Sequence, residues 1–479
     1  MTNRYLEGIH QPLTQEYTLT DLDVVGRIPD FLDGRYLRNG PNPIGEIDPK
    51  LYHWFIGDGM VHGLRLCDGK AEWYRNRFVR GPQTCQALGE PVPKGRFKVS
   101  TIGANTNVIG HAGKTLALVE SGVAQYELTD ELETVGVWDF NGTLPGGFSA
   151  HPKRDPVTGE LHAITYGMER GNTVQYTVIG VDGRALRSVD ITVSGSPMMH
   201  DFSLTENHVV IYDLPVTFDP ALAAEMTMPK ALRLPAQLML SALIGRVRIP
   251  DPVMARQAKP KAGDRRFPYK WDPRYPARVG VMPRNGADAD VRWFDVEPCF
   301  VFHPMNAYDD GHTIVLDVVR HPKMFDTEML GPDEGPPTLD RWVVDLADGK
   351  VRESRIDDRG QEFPRVDERL VGRRHRYGYA PSFGDADNGT NRLHKHDFIG
   401  GRSATRSFGA GKHLGEFVFQ PRSADSAEDD GVLMGYVYDE ATDRSELAIL
   451  DAQTMENVAN VKLPHRVPAG FHGNWVPSS

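Results

Sequence analysis

Three stretches of this chain repeat one pattern: a histidine, a polar turn, then a run of apolar and β-branched residues. His151 leads into LHAITY, His200 into HVVIY and His303 into TIVLDV. The apolar run begins 10, 8 and 10 residues after the respective histidine. Asn105 to Thr115 and Gln420 to Val432 carry the same spacing without the histidine. Five such units spread along one chain point to radial repetition, the arrangement of a β-propeller, where equivalent positions of successive blades face one axis. Histidines at one repeat position would then converge, although they lie far apart in sequence.

The rest of the chain has the same all-β texture. Short strand-like runs such as TLALVE, VLMGY and ELAIL alternate with turn signals at Asp68-Gly69, Asp182-Gly183, Asp310-Gly311, Asp348-Gly349 and Asp430-Gly431. Glycine (48) and proline (35) are numerous enough for many turns and too dispersed for low complexity. Large all-β folds exceed the usual ~150 residues per domain, so residues 1–479 read as a single propeller domain. Cys67, Cys85 and Cys299 cannot build a disulfide framework, and no apolar stretch approaches the ~18–20 residues of a membrane span. The expected setting is cytoplasmic. A net charge of −11 argues against nucleic acid as a partner, and nothing in the sequence points to an obligate protein partner.

A lone histidine is usually a surface or core residue, but three at one repeat position are a metal-site pattern. A fourth, His472, lies in AGFHGNWVP near the C-terminus. Four neutral imidazoles without a thiolate or carboxylate suit iron, copper or nickel, and suit neither hard Ca²⁺ or Mg²⁺ nor a structural thiolate zinc site. His53, His62, His208, His312 and His321 fall outside the repeat position and are not assigned as ligands.

An ordered set of motifs runs through nearly the whole chain: YLRNGPNP from Tyr36, HWFIGDGMVH from His53, NTNV from Asn105, FSAH ending at His151, MHD around His200, FHP around His303 and FHG around His472. In these the chain resembles the carotenoid cleavage oxygenases. The resemblance implies a seven-bladed propeller with helical and loop insertions capping the iron-containing face. It implies one Fe(II) held by His151, His200, His303 and His472. It also implies that Glu120, Glu362 and Glu416 orient His200, His303 and His472, with His151 left without a carboxylate partner. Each glutamate lies in an apolar stretch, where an unpaired carboxylate would be costly. The implied reaction is cleavage of one C=C bond of a hydrophobic polyene by dioxygen, giving two carbonyl products. Val119 would restrict access beside the metal, and Phe55 would pack on substrate or core. Stilbene-cleaving relatives carry a lysine where this chain has Val119, so a carotenoid or apocarotenoid is favoured over a hydroxystilbene. A stilbene-type or isomerase activity on the same fold is the first alternative, and a non-catalytic binding propeller the second.

Residues 219–284 read as an insertion. Leu232–Ile244 is largely apolar with Arg233 as its only charge, and Pro229 and Pro235 are expected to break it into short helical pieces. Between Lys230 and Arg284, 13 Lys/Arg stand against 3 Asp, a local charge of +10 that leaves −21 on the rest of the chain. An apolar helix beside cations is the composition of an anchor that lies in a membrane surface, with Leu238, Met239 and Leu240 as its lipid-facing patch. Peripheral membrane attachment is therefore expected.

Overall fold

The computed structural model describes residues 2–93, 103–144, 147–249, 263–384 and 390–478. Seven antiparallel sheets follow one another along the chain and form the blades of a propeller. Blade 1 contains Thr18–Leu19, Gly34–Pro41, Gly59–Cys67, Lys70–Phe78 and, from the far end of the chain, Gly473–Pro477. Blades 2 to 5 have four strands each and begin at Asn107–His111, Lys153–Arg154, Phe202–Leu204 and Pro304–Asp310. Blade 6 has three regular strands from Tyr377–Pro381, and its first strand is replaced by an irregular segment in which Gln361 and Arg365 bridge Ser382 and Tyr379. In blade 7, Lys412–Leu414 and Val418–Pro421 both pair with Gly431–Asp439, and the N-terminal strand Asp23–Gly26 covers its far edge.

The ring is stitched shut at both ends of the chain. Gly473–Pro477 pairs with Gly34–Pro41, while Asp23–Gly26 pairs with Asn457–Lys462. Blades 1 and 7 therefore each combine N- and C-terminal segments, and each shares its edge hydrogen bonds with a segment from the opposite end of the chain.

Burial explains which strands were visible as alternating patterns. Gly34–Pro41 and Leu161–Thr165 are buried at every residue, because neighbouring blades cover both faces. The edge strands Ala185–Thr192 and Lys350–Asp357 have one open face and show the period-two alternation of a half-buried strand.

The stretch 219–284 contains the helices Pro220–Thr227 and Arg233–Leu243, and its strand Tyr269–Trp271 forms a two-stranded ribbon with Val216–Phe218 just before it. It returns to the propeller at Arg278–Pro283, a full strand of blade 4 paired with His208–Asp213. Pro235 does not break the second helix, contrary to the expectation from sequence. It is the third residue of the helix, where the backbone N–H has no partner inside the helix in any case. Leu238 (63% exposed) and Met239 (54%) face outward, but Leu240 turns inward and packs on the core of blades 3 to 5, so the expected three-residue patch is corrected at that position. The basic run is also less free than its composition suggests. Arg265 is buried against Asp58, Arg266 pairs with Asp264 and Glu225, Arg278 with Asp213, and Lys270 with Asp219. Arg256, Lys259 and Lys261 lie outside the described residues.

Several histidines away from the axis are buried and neutral. Burial lowers His53 and His162 to about 3, and His375 and His396 to about 4, with nearby charges as smaller influences. Unfolded, each would take up a proton near its ordinary value of about 6.5. Their contribution to stability is therefore complete above about pH 6.5 and drains away as pH falls toward 3–4. The melting temperature should hold steady above neutrality and decline progressively below about pH 6.5, as measured by circular dichroism across a pH series.

Candidate metal centre

The three histidines of the repeat and His472 occupy similar places. His151 and His200 stand two residues before the edge strands Lys153–Arg154 and Phe202–Leu204. His303 and His472 stand directly before Pro304–Asp310 and Gly473–Pro477. The chain thus delivers one imidazole from each of blades 3, 4, 5 and 1. All four are buried, and one ligand nitrogen from each lies within 4.8 Å of the others. Among the described residues no other group of His, Cys, Asp or Glu forms such a cluster. His53, His62, His208, His312 and His321 do not join it.

Three carboxylates approach from the remaining blades. Glu120 follows strand Lys114–Leu118 of blade 2, Glu362 lies in the irregular segment of blade 6, and Glu416 precedes Val418–Pro421 of blade 7. Nδ1 of His303 is 2.6 Å from Oε2 of Glu362, and Nδ1 of His472 is 3.0 Å from Oε1 of Glu416. Nδ1 of His200 is 2.6 Å from Oε1 of Glu120, close but out of line for a hydrogen bond. Nε2 of His151 has no hydrogen-bond partner among the described residues and comes no nearer than 4.0 Å to Glu120. Each blade therefore contributes one histidine or one glutamate to the axis.

Local backbone geometry aims two of these carboxylates. Ser121 and Phe363, the residues after Glu120 and Glu362, have φ of 62° and 53°, a left-handed conformation that costs a non-glycine residue of order 1–3 kcal/mol. At Phe363 the turn folds the backbone N–H back onto Oε2 of Glu362. Nothing in the sequence marks either residue for this conformation.

The electrostatics keep the cluster ready for a metal. Burial lowers His151 well below its ordinary value, and the neighbouring imidazoles add to the effect. Burial also lowers His303, to about 4, against the opposing pull of Glu362. Burial alone would raise Glu362 and Glu416. His303 and His321 more than offset it at Glu362, Arg365 and His472 do so at Glu416, and both carboxyls lie below the ordinary range. Neutral imidazoles whose outer N–H groups face ionised carboxylates are the protonation states that metal binding requires.

The donor set fits a metal ion. Two imidazole nitrogens bound at right angles to one ion at about 2.1 Å would be about 3 Å apart, and Nε2 of His200 lies 3.1 Å from Nε2 of His303. The buried, unpartnered Nε2 of His151 is costly without a ligand and satisfied by one.

Two unlike chambers meet at this cluster. An apolar cavity of about 280 Å³ is walled by Phe55, Val119, Met198, Phe267, Phe302 and Phe471, and reaches His200, His303 and His472. A smaller chamber of about 100 Å³ reaches His151, His303 and His472 and carries Lys153, Asp201, Asn306 and Arg365. The cluster thus separates an oily space from a polar one. Phe55 sits in the short 3-10 turn Trp54–Ile56, anchored by the Asn105 amide, which donates to the carbonyls of Phe55 and Gly57 at 2.9 and 2.8 Å. Gly59 must be glycine here, since a Cβ would overlap the Ala104 carbonyl. Val119 lies in the cavity wall beside Glu120, pinned by Gln125, whose side chain bonds both its N–H and its carbonyl.

Sequence reasoning passed over Tyr166, His321 and Arg365, which touch the three carboxylates. Tyr166 ends the strand-like LHAITY run and Arg365 falls within GQEFPRV, so each looked like part of an element or a motif. His321 lacks the repeat position, and no spacing signal marks it.

The family model for the retinal pigment epithelial membrane protein RPE65 matches residues 10–477. A carotenoid cleavage oxygenase of Mycobacterium tuberculosis is 55% identical over 491 residues, spanning 100% of this chain and 98% of that protein. Among solved structures, a lignostilbene dioxygenase of Pseudomonas brassicacearum aligns with a TM-score of 0.82 at 26% identity, covering 100% of both chains. A cobalt-substituted apocarotenoid oxygenase of Synechocystis aligns with a TM-score of 0.79 at 29% identity, covering 98% of this chain and 97% of that one.

Proposed function

Given that the chain belongs to the family of RPE65 and the carotenoid cleavage oxygenases, we propose that it is an Fe(II)-dependent dioxygenase that cleaves one C=C bond of a carotenoid or apocarotenoid into two carbonyl products. The observation that carries this reading is the placement of four buried imidazoles at the end of an aromatic-lined cavity, with no carboxylate or thiolate among them. Fe(II) held by His151, His200, His303 and His472 would supply the activation of dioxygen. The protein's own groups do the rest. Glu120, Glu362 and Glu416 hold the outer nitrogens of three of the histidines, which fixes ring orientation and tautomer. Phe55, Phe302 and Phe471 exclude water and grip an extended hydrocarbon through apolar contact, so that one double bond is presented to the metal. Val119 narrows the space beside Glu120.

The apolar Val119 favours a polyene over a hydroxystilbene, because it offers no group to engage a phenol. The likeness to the lignostilbene dioxygenase keeps the stilbene reading as the rival. Aerobic incubation of iron-loaded protein with carotenoids, apocarotenoids and stilbenes, followed by mass analysis of products, separates them. Two carbonyl fragments from a polyene are expected, with oxygen from labelled dioxygen. Stilbene-only cleavage, or an isomer of unchanged mass, would overturn the proposal. His303→Ala should lose most of its bound iron by elemental analysis and fall at least about 100-fold in turnover. Val119→Phe should retain iron while kcat/KM for the polyene falls about 10-fold or more, as cavity space is lost.

We also read the insertion as a membrane-surface attachment. Leu232, Leu234, Leu238, Met239 and Val247 are all about half exposed or more, a cluster of apolar side chains unusual for a surface bathed only in water. The segment stands beside the cavity, since Ile249 donates its N–H to the carbonyl of Glu169 at 2.7 Å and Glu169 lines the cavity wall. A polyene could pass from lipid to the metal without crossing much water. Changing Leu234, Leu238 and Met239 together to Ser should reduce co-sedimentation with liposomes several-fold, and unchanged binding would refute the attachment.

A further inference from the structure

Each carboxylate that faces a histidine of the cluster is met by one more side chain, and the three differ in chemistry. The Tyr166 hydroxyl donates to Oε2 of Glu120 at 2.6 Å. Nε2 of His321 lies 3.0 Å from Oε1 of Glu362, the oxygen that His303 does not use. Nη1 of Arg365 lies 3.5 Å from Oε1 of Glu416, and Nη2 of Arg365 is tied to Asn474 at 2.9 Å and to Glu368 at 3.2 Å. Tyr166 and His321 are only 3% and 2% exposed, so these contacts are not diluted by water.

The pattern has two physical consequences. A carboxylate held at one point can rotate, and a second donor on it fixes the rotamer and hence the position of the imidazole it faces. At Glu120 this matters most: the bond from Tyr166 fixes Oε2 and so helps hold Oε1 2.6 Å from Nδ1 of His200, where the alignment itself is imperfect. The donors also divide the carboxylate charge unequally. Tyr166 is a neutral donor and leaves the negative charge of Glu120 on the carboxylate. His321 presents a ring nitrogen to the Glu362 oxygen that His303 leaves free. Arg365 brings a full cation to Glu416 and withdraws more of its charge. A carboxylate met by a neutral hydroxyl, as Glu120 is, therefore attracts the N–H of its histidine more strongly than one met by a guanidinium, as Glu416 is, and His200 becomes a stronger donor to a bound ion than His472.

We infer that Tyr166, His321 and Arg365 are positioning residues that fix the three carboxylates and grade the donor strength of the histidines behind them. The inference rests on the reading of the four histidines as a metal site. It goes beyond that reading by assigning the metal's hold to side chains that never touch it.

The test uses metal-free full-length protein and Co(II) as the probe, titrated against a competing chelator, with the d–d absorption bands recorded in parallel. Tyr166→Phe and His321→Leu should each raise the cobalt dissociation constant about 10-fold and shift the d–d bands. His321→Gln, whose amide can still donate to Glu362, should recover most of the affinity and the parent spectrum. The melting temperatures of the metal-free forms should stay within a few degrees of the parent, which separates a loosened site from a damaged fold. Parent-like affinity and spectra in Tyr166→Phe and His321→Leu would overturn the inference while leaving the four-histidine reading intact. A parent protein that takes up no cobalt, or takes it up equally well after His303→Ala, would overturn that reading and the inference with it.

Discussion

Burial of four imidazoles at one point of the propeller axis is the constraint on which the rest of the centre depends. Out of water, charged imidazoles a few ångströms apart would repel one another strongly, so the site is built for their neutral forms. Neutrality makes them ligands, and ligands for one ion must be held to within tenths of an ångström. The fold meets that demand by placing each histidine within two residues of the start of a blade's edge strand, where the hydrogen-bonded sheet fixes the backbone. The three blades without a ligand supply the glutamates. Sevenfold architecture and fourfold ligation thus fit together because the remaining three positions support the other four.

The same constraint accounts for the two chambers. A carboxylate in contact with the apolar cavity would be expensive, and two of the three are satisfied by more than one neighbour, while Glu120 accepts from Tyr166. Glu362 accepts from His303, His321 and the Phe363 N–H, and Glu416 accepts from His472 and the Gly473 N–H, with Arg365 close by. Their charges are spent on the protein, so the cavity wall can present mainly hydrocarbon to its contents. The polar chamber on the other side accommodates the ion pair of Lys153 with Asp201, separated from the oily space by the histidines themselves.

The insertion shows where composition misleads. Counting charges over residues 230–284 gives a strongly basic segment, but composition carries no information about partners. Arg265 is buried with Asp58 and helps hold the insertion to blade 1, and Arg278 belongs to a strand of blade 4. Helical phase decides the fate of neighbouring apolar residues in the same way: Leu238 and Met239 face outward while Leu240 meets the core. A run of apolar letters does not record which face of the helix is covered.

The sequence by itself determined the repeat, the propeller class and three of the four histidines, because a radial fold maps equal sequence positions onto equal places around an axis, and the family resemblance added His472. The same resemblance marked the three glutamates, supported by the cost of placing an unpaired carboxylate in an apolar stretch. Only the tertiary structure decided the rest. His472 reaches the cluster because the C-terminal strand closes blade 1 against Gly34–Pro41, a pairing across more than four hundred residues that no local pattern encodes. Tyr166, His321 and Arg365 reach the carboxylates through contacts spanning 46, 41 and 51 positions, set by how separate blades pack against one another. Periodicity registers which way a side chain points from its own strand. What it meets there depends on packing between elements distant in sequence.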